Sequence, residues 1–231
     1  MLFCHCEEVM MLEIKDFSVY VDGREVVKDA NAIFEGVSIL MGPNGSGKSS
    51  LAFGIAGHPK YKTKGKIFLY GKDISDLKPE ERANLGLFLA FQNPPEIEGL
   101  SLKRFAGMLA DNYEEEARFA GVEGLLERGL NYRFSGGEKK RSELFQLLLR
   151  KPRFAILDEL DAGLDVEGMG KIAEAIEKMK NISFLFITHR PETAERIRAK
   201  KVFVMLDGRI VLAGGNEIIK RIKEEGYGWI R

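Results

Sequence analysis

Gly42-Pro43-Asn44-Gly45-Ser46-Gly47-Lys48-Ser49 decides the fold of this chain, because its spacing, G-x-x-x-x-G-K-[ST], is that of a loop wrapping the phosphates of a nucleotide. Glycines at 42, 45 and 47 permit torsions and close approaches that a Cβ blocks, so successive N–H groups can turn inward on an anion. Lys48 adds a mobile cation toward the β and γ phosphates, and the Ser49 hydroxyl is a ligand for Mg²⁺. Pro43, Asn44 and Ser46 complete the predicted binding loop, and Ser50 follows in a helix whose positive dipole end faces the same charge. The apolar run Val37-Ser38-Ile39-Leu40-Met41 reads as a buried strand entering the loop, and 49–56 as the helix leaving it.

Outward from this loop, the chain alternates strand and helix patterns. Residues 12–36 alternate apolar and polar around Asp22-Gly23, a two-residue hairpin turn, and 66–70 adds a further strand. Pro79 opens a short helix, and 87–91 is a continuous apolar strand ending at Gln92. The period then becomes helical over 96–150. Buried-strand runs at 154–157 and 182–187 flank a helical stretch, 169–179, which is the pattern of a parallel sheet. A hairpin around Asp207-Gly208 and a helix over 216–225 close the chain. The fold class expected is α/β: a parallel-sheet core with an antiparallel β subdomain and a helical insertion. Residues 12–231 form one domain, with core and β subdomain from 12–95 and 151–231 and the helical subdomain at 96–150.

Composition narrows the function. The 231 residues are 45% hydrophobic, enough for a sizeable core, and 35 basic residues balance 35 acidic ones. A net charge of zero supplies no basic field for nucleic acid or an anionic membrane, and no apolar run approaches the roughly 20 residues of a membrane span. The first eight residues have neither a basic n-region nor an apolar stretch of secretory length, so a cytoplasmic location is expected. Cys4 and Cys6, with one residue between them, fit neither disulfide geometry nor ordinary zinc spacing. Residues 1–11 read as a flexible tail, with a Cys-His-Cys metal handle as the alternative.

Chemistry is expected at the strand ends. Asp158 and Glu159 close the 154–157 run at the carboxyl end of the sheet, where Asp158 can hold Mg²⁺ and Glu159 can accept a proton from an attacking water. Gln92 can touch the metal and water through a neutral amide, and His189, just past the 182–187 run, can bind a γ-phosphate oxygen or position the water. Ser135-Gly136-Gly137-Glu138 opens another helix with a serine cap and exposed N–H groups. This second anion site implies two copies of the chain facing each other. Lys139 and Lys140 read either as solvated helix lysines or as a counter-charge for Glu159.

In order, the chain carries a Walker A loop, a Q-loop glutamine (Gln92), the signature Phe134-Ser135-Gly136-Gly137-Glu138, a Walker B strand, a D-loop Ala162-Gly163-Leu164-Asp165 and a switch histidine (His189). Over 12–231 it resembles the ABC-type ATPases. The resemblance implies a head-to-tail homodimer in which Mg²⁺ and ATP, held by one Walker A, meet the signature of the other copy. Four stretches resemble SufC, the ATPase family of the Suf iron–sulfur cluster assembly system: 90–97 (AFQNPPEI), 134–141 (FSGGEKKR), 157–165 (LDELDAGLD) and 225–230 (EGYGWI). That likeness implies SufB- and SufD-like scaffold proteins as partners; the alternative is the nucleotide-binding subunit of an ABC membrane transporter, with coupling helices docked near 92–100. Glu138 stands where transporters usually have glutamine, Ala162 replaces the usual D-loop serine, and the insertion before Ser135 is shorter than is common in SufC. For adenine stacking the candidate is Tyr20, with Val21 at the matching strand phase.

Overall fold

The computed structural model describes residues 11–230, so Cys4, Cys6 and the metal-handle reading lie outside them. Strands β1 (Met11–Val21) and β2 (Arg24–Glu35) form an antiparallel hairpin. Asp22 (φ 50) and Gly23 (φ 79) both take positive φ, as the tight hairpin turn requires. The chain then runs through β3 (Val37–Met41), the phosphate loop and α1 (Lys48–Ala56). It returns to the hairpin as β4 (Lys62–Leu69) and β5 (Lys72–Asp73), completing a four-stranded antiparallel sheet in the order β2-β1-β4-β5.

Helix α2 (Pro79–Asn84) leads into β6 (Leu87–Ala90). The following insertion contains β7 (Ile97–Ser101), α3 (Leu102–Gly107), α4 (Glu114–Ala120), β8 (Gly129–Leu130) and α5 (Gly136–Arg150). Strand β9 (Phe154–Asp158), α6 (Val166–Lys178), β10 (Ser183–Ile187), α7 (Pro191–Ile197), β11 (Lys201–Leu206), β12 (Arg209–Gly214) and α8 (Glu217–Glu225) complete the chain. The central sheet has six strands in the order β12-β11-β3-β10-β9-β6, parallel except at β12.

Continuous apolar runs form these strands because both faces of the sheet are covered. In β9, Phe154 and Ile156 join the core under the antiparallel sheet and α1, whereas Ala155 and Leu157 join the core against the helices. Strand β10 divides the same way, with Leu185 and Ile187 on one side and Phe184 and Phe186 on the other. The terminal aromatics close the helical side: Tyr227 and Trp229 pack on that core, with the Arg221 guanidinium 3.9 Å from the Trp229 ring.

Two features depart from the sequence reading. The insertion expected to be helical also holds the β7–β8 pair, Ile97 opposite Leu130 and Ser101 opposite Gly129. Strands of five and two residues are too short to print a period of two. Helix α7 has only seven residues, mostly polar, and shows no apolar stripe.

Arg82 fixes the end of α1. It is buried, and its guanidinium donates to the carbonyls of Gly54 (3.1 Å), Ile55 (2.6 Å), Ser75 (2.7 Å) and Leu77 (2.9 Å). A cation there also meets the negative end of the helix dipole. Arg82→Met leaves these carbonyls without that donor, at a cost of about 3 kcal/mol. At about 2–4 °C per kcal/mol for a domain of this size, Tm should fall by about 6–12 °C in thermal denaturation followed by circular dichroism.

Candidate functional site

Parallel β3, β10, β9 and β6 end side by side, so the residues just past them meet at one edge of the sheet. Gly42 follows β3, Glu159 follows β9, Thr188 and His189 follow β10, and Phe91 and Gln92 follow β6. The phosphate loop is shaped by close backbone approach. A Cβ on Gly42 would lie 2.3 Å from the Met205 carbonyl oxygen, and one on Gly47, at φ 105, would lie 2.8 Å from that of Val26. The turn after β11 braces the loop through a Gly208 N–H donated to the Ser46 carbonyl at 2.9 Å.

Lys48 is 4% exposed, and its ammonium donates to the carbonyl oxygens of Gly42 (2.8 Å) and Pro43 (2.9 Å). Burial draws its pKa below the lysine range, against the opposing pull of Glu159 and Asp158. Asp158 is sealed from solvent with both carboxylate oxygens lacking a hydrogen-bond partner among the described residues, and burial pushes it up to about 6. The Ser49 hydroxyl, near Asp158 but outside hydrogen-bond geometry, is the largest of the opposing influences. Asn44, Gly45, Lys48, Ser49, Gln92 and Glu159 line a cleft of about 310 Å³ with Val26. A glycine-shaped cradle beside a buried cation and an orphaned carboxylate fits a nucleotide triphosphate with its Mg²⁺, which the oxygens of Ser49, Gln92 and Asp158 could hold.

Glu159 joins the other candidates. Its backbone sits at φ 47, its Oε2 accepts from the Gln92 amide at 2.6 Å, and its Oε1 lies 3.1 Å from His189 Nδ1. Such a φ is costly for a residue with a side chain and here aims the carboxylate across the cleft mouth. Thr188 is fixed beneath by its hydroxyl bond to Asp161 at 2.9 Å.

Other predicted residues lie apart. Ser135 caps α5 in a reciprocal box: its hydroxyl accepts the Glu138 N–H at 3.3 Å, and Glu138 accepts the Ser135 N–H at 2.7 Å. Ser135 and Gly136 are exposed and do not line the cleft of Lys48, while Gly137 borders a separate cavity of about 200 Å³ with Gly163 and Asp165. Asp165 spends its carboxylate capping α6 through Gly168 N–H at 2.8 Å. Tyr20 requires correction. Its hydroxyl donates to Glu25 at 3.0 Å and its ring lies under Lys64, outside the cleft lining; Val26 is the β-subdomain side chain that lines it.

The basic pair on α5 is neither freely solvated nor hydrogen-bonded to Glu159, although the Glu159 charge is among those that favour the Lys140 ammonium. Lys139 binds Glu96 at 2.7 Å, and Lys140, 4% exposed, donates to the carbonyls of Gln92 (2.8 Å) and Phe91 (3.3 Å). Glu143, 2% exposed, accepts the Phe91 N–H at 2.8 Å and the Gln146 amide at 3.0 Å. Sequence reading passed over Glu143; its signal was a carboxylate on the buried face of a helix, beside Leu144 and Leu147.

Comparison with known proteins gives the family and the fold. The ABC transporter family model matches residues 35–162. The chain is 41% identical to Vegetative protein 296 of Bacillus subtilis, covering 95% of this chain and 93% of that protein. It is also 41% identical to a probable ABC transporter ATP-binding protein of Streptococcus pyogenes serotype M18, covering 95% and 94%. A solved ATP-binding subunit of an ABC transporter superposes with a TM-score of 0.78 at 25% identity, covering 94% of this chain and 95% of that one. The chain belongs to the ABC transporter ATP-binding family and has its fold, that of a P-loop ATPase. No helix among the described residues is long and apolar enough to cross a membrane.

Burial raises Glu143 to about 7, opposed by the Phe91 N–H, the Lys140 charge and the Gln146 amide. The folded chain therefore holds this proton more tightly than the unfolded chain does. The carboxylate costs nothing below the ordinary glutamate range, and its cost grows as pH rises through 7. Glu143→Gln has no such titration. Its unfolding free energy relative to the unsubstituted chain should rise by up to about 3 kcal/mol between about pH 4 and pH 8, measured by urea denaturation.

Proposed function

We propose that two copies of this chain close head to tail on Mg²⁺ and ATP, and that the movement works a SufB/SufD-type scaffold on which iron–sulfur clusters are assembled. The observation that carries the closure is a division of labour. Phosphate loop, Gln92 and Glu159 line one cleft, with His189 held beside it against Glu159, whereas the capped helix start at Ser135 is exposed and does not line it. In this reading Lys48 and the loop N–H groups at 42–49 hold the phosphates, and the start of α1 adds its dipole. Ser49, Gln92 and Asp158 would hold Mg²⁺, whose charge would offset that of the phosphates. Glu159 takes the proton of the attacking water, and His189, against the other carboxylate oxygen, fixes its direction. Ser135, Gly136, Gly137 and Glu138 complete the site of the other copy, with Asp165 beside the junction.

The scaffold reading is supported by the four SufC-like stretches, two of which are physically joined. Glu96 of the first accepts from Lys139 of the second, and Asn131 donates to the Pro95 carbonyl at 3.2 Å. An apolar groove of about 340 Å³ between α1, α2, β6, α3 and α5, walled by Phe53, Phe88, Phe91 and Phe105, would receive the partner. The second reading is a transporter subunit whose permease occupies this groove; the descriptions of the Streptococcus relative and the solved subunit favour it. Purification of the tagged chain from its own cells with mass spectrometry separates them. SufB- and SufD-like proteins support the first; a membrane permease in their place overturns it.

Glu159→Gln should keep ATP binding and slow turnover by about 10²–10⁴-fold in a phosphate-release assay. With saturating Mg²⁺ and ATP, the same variant should double its mass in solution scattering. Near-normal turnover removes Glu159 from its assigned role, and a persistent single copy removes the closure.

A further inference from the structure

Strand β6 is held to β9 as far as Ala90, which pairs with Leu157. Beyond that point the ladder gives no support to Phe91 and Gln92, yet Gln92 must present its amide to Glu159. Two side chains of α5 take over. Glu143 accepts the Phe91 N–H, and Lys140 donates to the carbonyls of Phe91 and Gln92, so three main-chain groups of two consecutive residues are bound by one turn of one helix. Both side chains are buried, and no ion pair joins them within 4.0 Å. A buried ammonium and carboxylate spent on backbone groups are a poor way to gain stability, since apolar residues of similar volume serve as well or better. What they fix is the direction in which the chain leaves the sheet.

We infer that Lys140 and Glu143 are positioning residues for ATP hydrolysis, holding the main chain at Phe91 and Gln92 so that the Gln92 amide meets Glu159. Gln146, one turn further along α5, donates to Glu143 and borders the apolar groove together with Phe91. The set therefore forms a continuous line from the groove to the Gln92–Glu159 contact. It acts through Gln92 and touches neither phosphate nor water.

The test is the steady-state ATPase of the full chain, which needs no partner and is independent of whether the scaffold or the transporter reading holds. Lys140→Met and Glu143→Ala should each lower kcat by about 10²-fold, the scale of a displaced reacting group, with KM for ATP changed less than about threefold. Glu143→Gln keeps an acceptor for the Phe91 N–H and should restore most of kcat. In a Gln92→Ala background Lys140→Met should cost nothing further, because the two act as one unit. Equal losses in both backgrounds, unchanged kcat, or a KM that rises in step with the fall in kcat would overturn the inference. If Glu143→Ala does not fold, the Lys140 and Gln92 cycle gives the same decision.

Discussion

A parallel sheet covered on both faces imposes the constraint on which this molecule depends. Along β3, β9 and β10 successive side chains are committed alternately to the two cores, and almost every position is buried. Apart from Asp158 at the very end of β9, no side chain of these three strands is free to serve a ligand. Chemistry is left to the residues that leave the strands, and parallel pairing brings four such exits to one edge. The site is therefore built from Gly42, Gln92, Asp158, Glu159 and His189, distant in sequence, because that is where the topology leaves room for polar groups.

Crowding charges at a sheet edge has an electrostatic consequence. Lys48 is buried enough for its charged form to be disfavoured, and its partners are carbonyl oxygens of its own loop, which carry no full negative charge. Asp158 is close enough to favour the lysine's charge but makes no hydrogen bond with it. A buried cation and a buried carboxylate, each incompletely matched, form a site poised for a ligand that brings both signs. A triphosphate carrying a divalent cation does so. The positive φ of Glu159 belongs to the same economy: strain in the backbone holds a carboxylate at the cleft mouth instead of in bulk water.

Much of this was legible in the residues, and for identifiable reasons. The phosphate loop and the apolar runs that end in Gln92, Glu159 and His189 are local patterns with a mechanism attached. The short β7–β8 pair and α7 left no period to read. Tyr20 was misjudged because strand phase says which face a side chain takes and nothing of what else lies within its reach; Glu25 and Lys64 claim it. Lys140 and Glu143 were hidden for a deeper reason. Their partners are backbone groups some fifty residues away, and backbone groups carry no sequence signal.

Helix α5 explains how these hidden contacts bear on the rest. Its first turn is closed by the Ser135–Glu138 box, and Arg128 steadies Glu138 at 3.1 Å while Ser135 stays exposed. One turn on, Lys139 reaches Glu96, and Lys140 and Glu143 hold Phe91 and Gln92; from the approach to the helix, Arg133 N–H donates to Glu96 and Asn131 to Pro95. Residues 91–96 are thus gripped at both ends by 131–143. A rigid helix bonded in this way cannot turn without carrying the segment that bears Gln92. The groove beside Phe91 and Gln146 thus has a bonded route through residues 91–96 to Glu159 and to the start of α5, which is what the proposed closure requires.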